Sequence, residues 1–140
     1  ESLKRRILDK ELGDRVRFMG PRIGADLDPS YESADLLVLP SRAETYGMVV
    51  TEALARGLPV VAADVGGVAE ALGHGRAGIR PGMLVPPDDP AALAAALRAW
   101  LDDAELRLTW RRAARERRAS LAEWSTTTSV LAGVLAEAAQ

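Results

Sequence analysis

Two kinds of apolar pattern follow one another along the chain. Short continuous apolar runs occur at residues 36–39, 59–62 and 83–85, each bounded by proline, glycine or polar residues. Such runs are typical of strands that are covered on both faces of a parallel sheet. A fourth short run, at residues 16–20, also predicts a strand.

The segments between these runs have helical character. Leu3, Ile7, Leu8 and Leu12 recur at helical spacing, and Asp28-Pro29 can open a short helix that continues to Ser33. Asp89 is placed to cap a helix over residues 90–101. The remaining predicted helices cover residues 48–56, 68–72, about 104–118 and about 121–138.

This alternation of strands and helices predicts an α/β fold. Short apolar strands joined by helices pair in parallel, so we expect one domain over residues 1–140 with a Rossmann-like, doubly wound parallel sheet and C-terminal helices. In such sheets ligands bind beyond the carboxyl ends of the strands. The loops after the predicted strands are therefore the first place to look for function.

Composition narrows the setting. The chain has 140 residues, 48% of them apolar, no cysteine and a net charge of −2. No apolar run is long enough to span a bilayer, no thiolate metal site can form, and no overall basic character indicates nucleic acid. The first residues are charged and lack an apolar signal segment, so we expect a cytoplasmic protein.

Several isolated signals have a plain structural interpretation. Asp26 and Asp28 spell the D-x-D of metal-dependent glycosyltransferases, but Asp28 precedes Pro29 and suits a helix cap better. His74 is the single histidine and cannot make a zinc site alone. Trp100 and Trp124 are interpreted as packing anchors. Six arginines between residues 107 and 118 favour a solvated helix face, and a peripheral contact with an anionic membrane stays as the alternative.

The segment from Ala34 to Glu70 resembles the group 1 family of retaining glycosyltransferases, which have the GT-B architecture. The resemblance rests on four stretches: Ala34-Asp35-Leu36-Leu37-Val38-Leu39-Pro40-Ser41, Glu44-Thr45-Tyr46-Gly47, Thr51-Glu52-Ala53-Leu54-Ala55-Arg56-Gly57-Leu58-Pro59-Val60-Val61-Ala62, and Gly66-Gly67-Val68-Ala69-Glu70. Glu44 and Glu52 are separated by seven residues, as in the family. The family usually has Phe where this chain has Tyr46.

The resemblance implies a site for a nucleoside-diphosphate sugar and no metal or other cofactor. Glu52 would bind the ribose hydroxyls, and Glu44, the candidate catalytic residue, would lie near the donor sugar. The backbone amides of Gly47, Met48 and Val49 would face sugar and phosphate, next to Tyr46. The reaction would retain the anomeric configuration, with the leaving phosphate assisting the acceptor.

The physics of this stretch agrees with a donor site. Gly47 precedes a helix whose free N–H groups and dipole favour an anion. Glu52 is four residues after Met48 on the same face, and helical side chains tilt toward the N-terminus, so its carboxylate points back to that anion. Gly66-Gly67 is either a plain turn or, as the family implies, the border of the donor cleft.

The resemblance also implies partners outside the chain. The family's domain has two further strands before residue 1, with an Arg and a Lys that neutralise the diphosphate, and an N-terminal acceptor-binding domain. We therefore expect a donor-binding part of a longer enzyme, inactive alone and prone to self-association. The alternative is a non-catalytic interaction domain on the same fold.

Overall fold

The computed structural model describes residues 2–139, apart from the side chains of residues 124 and 125. The chain divides into two compact units, Glu1–Ser30 and Tyr31–Gln140, which are described separately. The sequence-based expectation of one domain over residues 1–140 stays a prediction. The proposed packing role of Trp124 lies outside the described side chains.

The first unit contains little regular structure. Helix α1 spans Leu3–Asp9 and a 3₁₀ turn spans Gly24–Asp26. Helix α2, Asp28–Glu32, starts in this unit and contains the boundary between the two units; it begins at the predicted residue and ends one residue early. The predicted strand at residues 16–20 is wrong, because this segment pairs with no strand among the described residues and forms no regular structure. An apolar run forms a strand only where a neighbour accepts and donates its backbone hydrogen bonds.

The second unit is built on a three-stranded parallel sheet. Its strands are β1 (Leu37–Leu39), β2 (Val60–Ala63) and β3 (Gly82–Val85), in the spatial order β1-β2-β3. Leu37 pairs with Val60, and Val60 pairs with Gly82. The predicted strands at residues 36–39, 59–62 and 83–85 are thereby confirmed to within one residue at each end.

Four helices complete this unit: α3 (Met48–Ala55), α4 (Val68–Leu72), α5 (Pro90–Asp102) and α6 (Ala104–Ala138). Asp89 caps α5 as predicted, since its carboxylate accepts the backbone N–H of Ala92 at 2.9 Å. The prediction of two helices after residue 104 is wrong. Nothing at residues 119–120 ends the helix: Ser120 turns its hydroxyl back to the Arg117 carbonyl at 2.9 Å, and neither glycine nor proline interrupts the backbone.

Helices cover both faces of the sheet. On one face Val60 and Ala62 pack with buried residues of α3, α4 and α6, among them Leu54 and Ala114. On the other face Val61 and Val85 pack with α5 and with Trp100 and Trp110, whose rings stack at 5.6 Å. Since successive strand residues face opposite sides, β2 is buried throughout. This confirms the doubly wound α/β fold and the packing role of Trp100.

The parallel strands bring three loops to one edge of the sheet. Residues 40–47 follow β1, residues 64–67 follow β2, and residues 86–89 follow β3. Most of the residues singled out from the sequence lie in the first two loops or at the start of α3. No helix within the described residues is long and apolar enough to cross a membrane.

Candidate functional site

Gly47 joins the loop after β1 to helix α3 and has a left-handed backbone, with φ +64° and ψ +37°. A Cβ at this position would lie 3.0 Å from the Ala71 Cβ and 3.3 Å from the Val68 Cα. A side chain is therefore disfavoured twice, by the dihedral angle and by the approach of α4. The bend turns the amino end of α3 toward the carboxyl edge of the sheet.

The amino end of α3 offers backbone donors to a ligand. The Gly47 carbonyl accepts the first helical hydrogen bond, from the Thr51 N–H at 3.2 Å. The N–H groups of Met48, Val49 and Val50 precede that bond and have no acceptor within the helix. Since Gly47 has no side chain to cap them, these amides and the helix dipole favour an anion at this point.

The turn at Gly66-Gly67 supports the loop that carries Glu44. The Gly67 N–H donates to the Thr45 carbonyl at 3.1 Å. A Cβ at Gly66, where φ is +50°, would overlap the Glu44 carbonyl oxygen, and a Cβ at Gly67 would lie 2.6 Å from the Thr45 oxygen. The two glycines let the loops after β1 and β2 touch backbone to backbone. Their role in the structure is to fix the shape of the Glu44–Gly47 segment.

Glu44 is half-buried and held at one oxygen. The Ser41 hydroxyl donates to its Oε1 at 2.9 Å. Ser41 follows the end of β1 by two residues, so the rigid strand fixes the position of the serine and, through it, the carboxylate. The second oxygen of Glu44 has no hydrogen bond within the described residues, so one acceptor remains for a ligand hydroxyl.

Glu52 lies on the exposed face of α3 and is held by Tyr31, whose hydroxyl donates to its Oε2 at 3.1 Å. Burial raises the pKa of the Tyr31 hydroxyl; the hydrogen bond to Glu52 and the negative charge of that residue add to the rise, and Arg56 opposes it. The Arg56 guanidinium stacks 4.3 Å from the centre of the Tyr31 ring. Tyr31 therefore stays protonated, and its hydroxyl keeps the Glu52 carboxylate in place by donating a hydrogen bond to it.

Two of the side chains assigned to the site, those of Tyr46 and Met48, face solvent. Tyr46 is 77% exposed and Met48 is 67% exposed, whereas Val49 is half-buried. The sequence-based interpretation gives Met48 and Val49 a role through their backbone amides, which would face the sugar and phosphate, and it puts Tyr46 next to these amides. The structure brings Glu44, Gly47 and the start of α3 into one segment, with Glu52 one helical turn beyond Met48.

Some residues at this edge were missed in the sequence. Arg42 donates to Asp88 at 2.7 Å and joins the loops after β1 and β3, although both side chains are largely exposed, at 84% and 63%. Beside this pair lies a recess of about 200 Å³, lined by residues from all three strand ends. Ser41 and Tyr31 were missed too. Only the three-residue interval from Ser41 to Glu44 was visible in the sequence.

The other sequence-based candidates have plain structural surroundings. His74 accepts a hydrogen bond from Arg80 at 3.3 Å. Asp26 lies in the 3₁₀ turn and Asp28 starts α2. In the described part of the chain, no three His, Cys, Asp or Glu side chains come together as metal ligands would.

Comparison with known proteins places this chain in a family. Residues 1–117 match the sequence profile of the family described as Glycosyl transferases group 1. A D-inositol 3-phosphate glycosyltransferase of Catenulispora acidiphila is 43% identical over 125 residues, which is 89% of this chain and 29% of that protein. Another, from Corynebacterium efficiens, is 39% identical over 95% of this chain and 31% of that protein. The chain thus spans about 30% of the length of these relatives.

Solved structures of glycosyltransferases with the GT-B fold share the architecture. A sucrose-phosphate synthase from Thermosynechococcus elongatus superposes with a TM-score of 0.76 and 32% identity over 96% of this chain and 33% of its own. Anabaena HepE, solved in complex with UDP, superposes with a TM-score of 0.75 and 29% identity, over 96% of this chain and 36% of its own. The matching sequence profile, the related sequences and the shared fold agree with one another, and the chain belongs to the group 1 family of glycosyltransferases.

Proposed function

We propose that this chain is the donor-binding part of a retaining glycosyltransferase and that it binds a nucleoside-diphosphate sugar at the carboxyl edge of the sheet. The observation that carries the proposal is the left-handed Gly47, which presents the free amides of α3 beside the loop of Glu44. The diphosphate oxygens accept hydrogen bonds from the backbone amides of Met48 and Val49. Glu52 accepts hydrogen bonds from two vicinal ribose hydroxyls, and Glu44 lies against the sugar.

The proposed reaction needs no metal ion. The bond between the anomeric carbon and the donor phosphate oxygen breaks, and the acceptor oxygen bonds to that carbon from the same face. The acceptor proton passes to the departing phosphate oxygen, so no side chain of this chain has to act as a general base. The amides at the start of α3 stabilise the charge that develops on the leaving diphosphate.

The proposal extends to the rest of the protein. An N-terminal domain would bind the acceptor, and the enzyme would work in the cytoplasm, with a peripheral membrane contact as a further proposal. UDP is the first donor nucleotide to test, because HepE has been solved with UDP and with UDP-glucose. The D-inositol 3-phosphate glycosyltransferases suggest a phosphorylated polyol among the acceptors to be screened.

Replacement of Glu52 by alanine tests the site. In the full-length protein, Glu52→Ala should weaken nucleotide binding by about 2–4 kcal/mol, roughly 30-fold to several hundred-fold, because two charge-assisted hydrogen bonds are lost. Glu123→Ala, which removes an exposed glutamate of α6 outside the site, is the matched control. Isothermal titration calorimetry with UDP measures both. Unchanged affinity in Glu52→Ala rejects the ribose assignment.

A further inference from the structure

Four arginines surround a recess at the opposite edge of the sheet from the candidate donor site. Asp35 precedes β1 and Pro59 precedes β2, so the recess lies at the amino ends of these strands. Its volume is about 210 Å³. The arginines that line it are Arg56, Arg111, Arg115 and Arg118.

The helical repeat places three of these arginines on one side of α6. Arg111, Arg115 and Arg118 follow at intervals of four and three residues, so their side chains share a face. Arg56 comes directly after the end of α3. The packing of α3 against α6, through buried residues such as Leu54 and Ala114, brings the fourth arginine to the other three.

The acidic groups at this recess are too few to neutralise it. Asp35 is the single carboxylate among the lining residues, and it pairs with Arg111 at 3.5 Å. Arg115 and Arg118 make no ion pair and no side-chain hydrogen bond with any other described residue. The guanidinium groups of Arg115 and Arg118 thus line the recess without a neutralising carboxylate, and guanidinium groups remain charged at every physiological pH.

The carboxyl end of α3 also faces the recess but does not compensate for this charge. Three of its last four carbonyls already accept hydrogen bonds: those of Ala53 and Leu54 accept from the backbone N–H groups of residues 56–58, and that of Glu52 accepts from the Arg56 guanidinium. The positive potential of the recess therefore remains for a ligand.

Two nearby arginines of α6, unlike Arg115 and Arg118, donate hydrogen bonds to backbone carbonyls. Arg107 donates to the carbonyls of Trp100 and Leu101, both at 2.8 Å, and so closes the end of α5. Arg117 donates to the Ala71 carbonyl at 3.4 Å, at the end of α4. These two arginines stabilise helix ends. Arg115 and Arg118 stabilise no helix end in this way, and both line the recess.

We propose that this recess binds an anion that carries a phosphate group. Guanidinium groups match phosphate oxygens in pairs, and several of them around one concavity hold a multiply charged anion better than a single carboxylate. A volume of about 210 Å³ corresponds to roughly seven water molecules at about 30 Å³ each, which is enough for a diphosphate group. The recess lies at the opposite edge of the sheet from the proposed donor site.

The test compares two double variants of equal charge in the full-length protein. Arg115→Gln with Arg118→Gln removes two charges from the recess. Arg98→Gln with Arg112→Gln removes two exposed charges from α5 and α6 that do not line it. Calorimetric titration with pyrophosphate at low salt is one arm. Flotation with vesicles of phosphatidylglycerol and phosphatidylcholine is the other, and it distinguishes a lipid phosphate from a soluble one.

We expect the recess variant to lose about tenfold or more of its affinity in at least one arm, and the control variant to lose less than about threefold. Backbone amide shifts at Gly57 and Ala34 should follow the pyrophosphate titration in the wild type and not in the recess variant. Melting curves of both variants check that each is folded. Equal losses in the two double variants, or no loss in either arm, overturn the proposal.

Discussion

Substitution of Gly66 by alanine tests whether the turn after β2 supports the donor loop. A Cβ at Gly66 would overlap the Glu44 carbonyl oxygen, and φ is +50°. Gly78 provides a matched control, because it also has a positive φ, of +72°, but no atom lies within 4 Å of the point that a Cβ would occupy there. Alanine at either site therefore carries the cost of a left-handed backbone, and only Gly66→Ala adds the steric overlap.

The two costs can be separated in magnitude. The left-handed conformation costs an alanine roughly 1–2 kcal/mol, in part offset because alanine restricts the unfolded chain. Overpacking in a rigid place costs about 1–3 kcal/mol more, and here the neighbour is backbone that cannot rotate away. We therefore expect Gly66→Ala to lower the free energy of unfolding by about 1–3 kcal/mol more than Gly78→Ala does.

The same change should affect binding. Movement of the Glu44 loop that relieves the overlap would also shift the Glu44 carboxylate relative to the start of α3. Nucleoside-diphosphate affinity should therefore fall in Gly66→Ala but not in Gly78→Ala. Urea unfolding and calorimetric titration of the full-length variants measure the two effects. Equal destabilisation in both variants, with unchanged nucleotide affinity, would refute this reasoning and leave Gly66-Gly67 as a plain turn.

Three further outcomes follow from the structure, and a fourth concerns the isolated chain. Tyr31→Phe keeps the ring under Arg56 but removes the donor to Glu52, so nucleotide affinity should fall by about 0.5–1.5 kcal/mol; unchanged affinity would show that Tyr31 does not position Glu52. Because the folded pKa of Tyr31 is raised, the stabilisation from its neutral form is complete below the ordinary tyrosine pKa and is lost as the pH rises from there through the folded pKa. Spectrophotometric titration of the 140-residue chain with Tyr46→Phe measures the folded pKa, and a pKa that is not raised would contradict this. Transfer by the full-length enzyme should survive EDTA and the replacement of Asp26 and Asp28 by alanine; loss of activity that a divalent ion restores would contradict this. The isolated 140-residue chain should self-associate, since β1 lies at an edge of the sheet within the described residues, and a monomer by light scattering would count against it.

Local sequence patterns were sufficient for the elements that carry the candidate site. The bounded apolar runs predicted β1, β2 and β3, and the glycine before Met48 predicted the start of α3. These features depend on residues within a few positions of one another. The run at residues 16–20 has the same local pattern but no strand partner among the described residues, and pairing cannot be judged from one segment alone.

The residues that support the site could not be predicted from such local patterns. Tyr31 is 21 residues before Glu52, and Gly66 is 22 residues after Glu44, yet both pairs are in contact because β1, α3 and β2 fold back over one edge of the sheet. The sequence shows which residue types suit ribose and diphosphate. It does not show that the phenol of Tyr31 holds one carboxylate or that a backbone contact fixes the loop of the other.

The distinction between supporting residues and residues that contact the donor matters for mutagenesis. A variant of a supporting residue can weaken donor binding although the residue does not contact the donor, so loss of binding alone does not identify a contact residue. The comparison of Tyr31→Phe with Glu52→Ala resolves this, because the support should cost a fraction of what the carboxylate itself contributes.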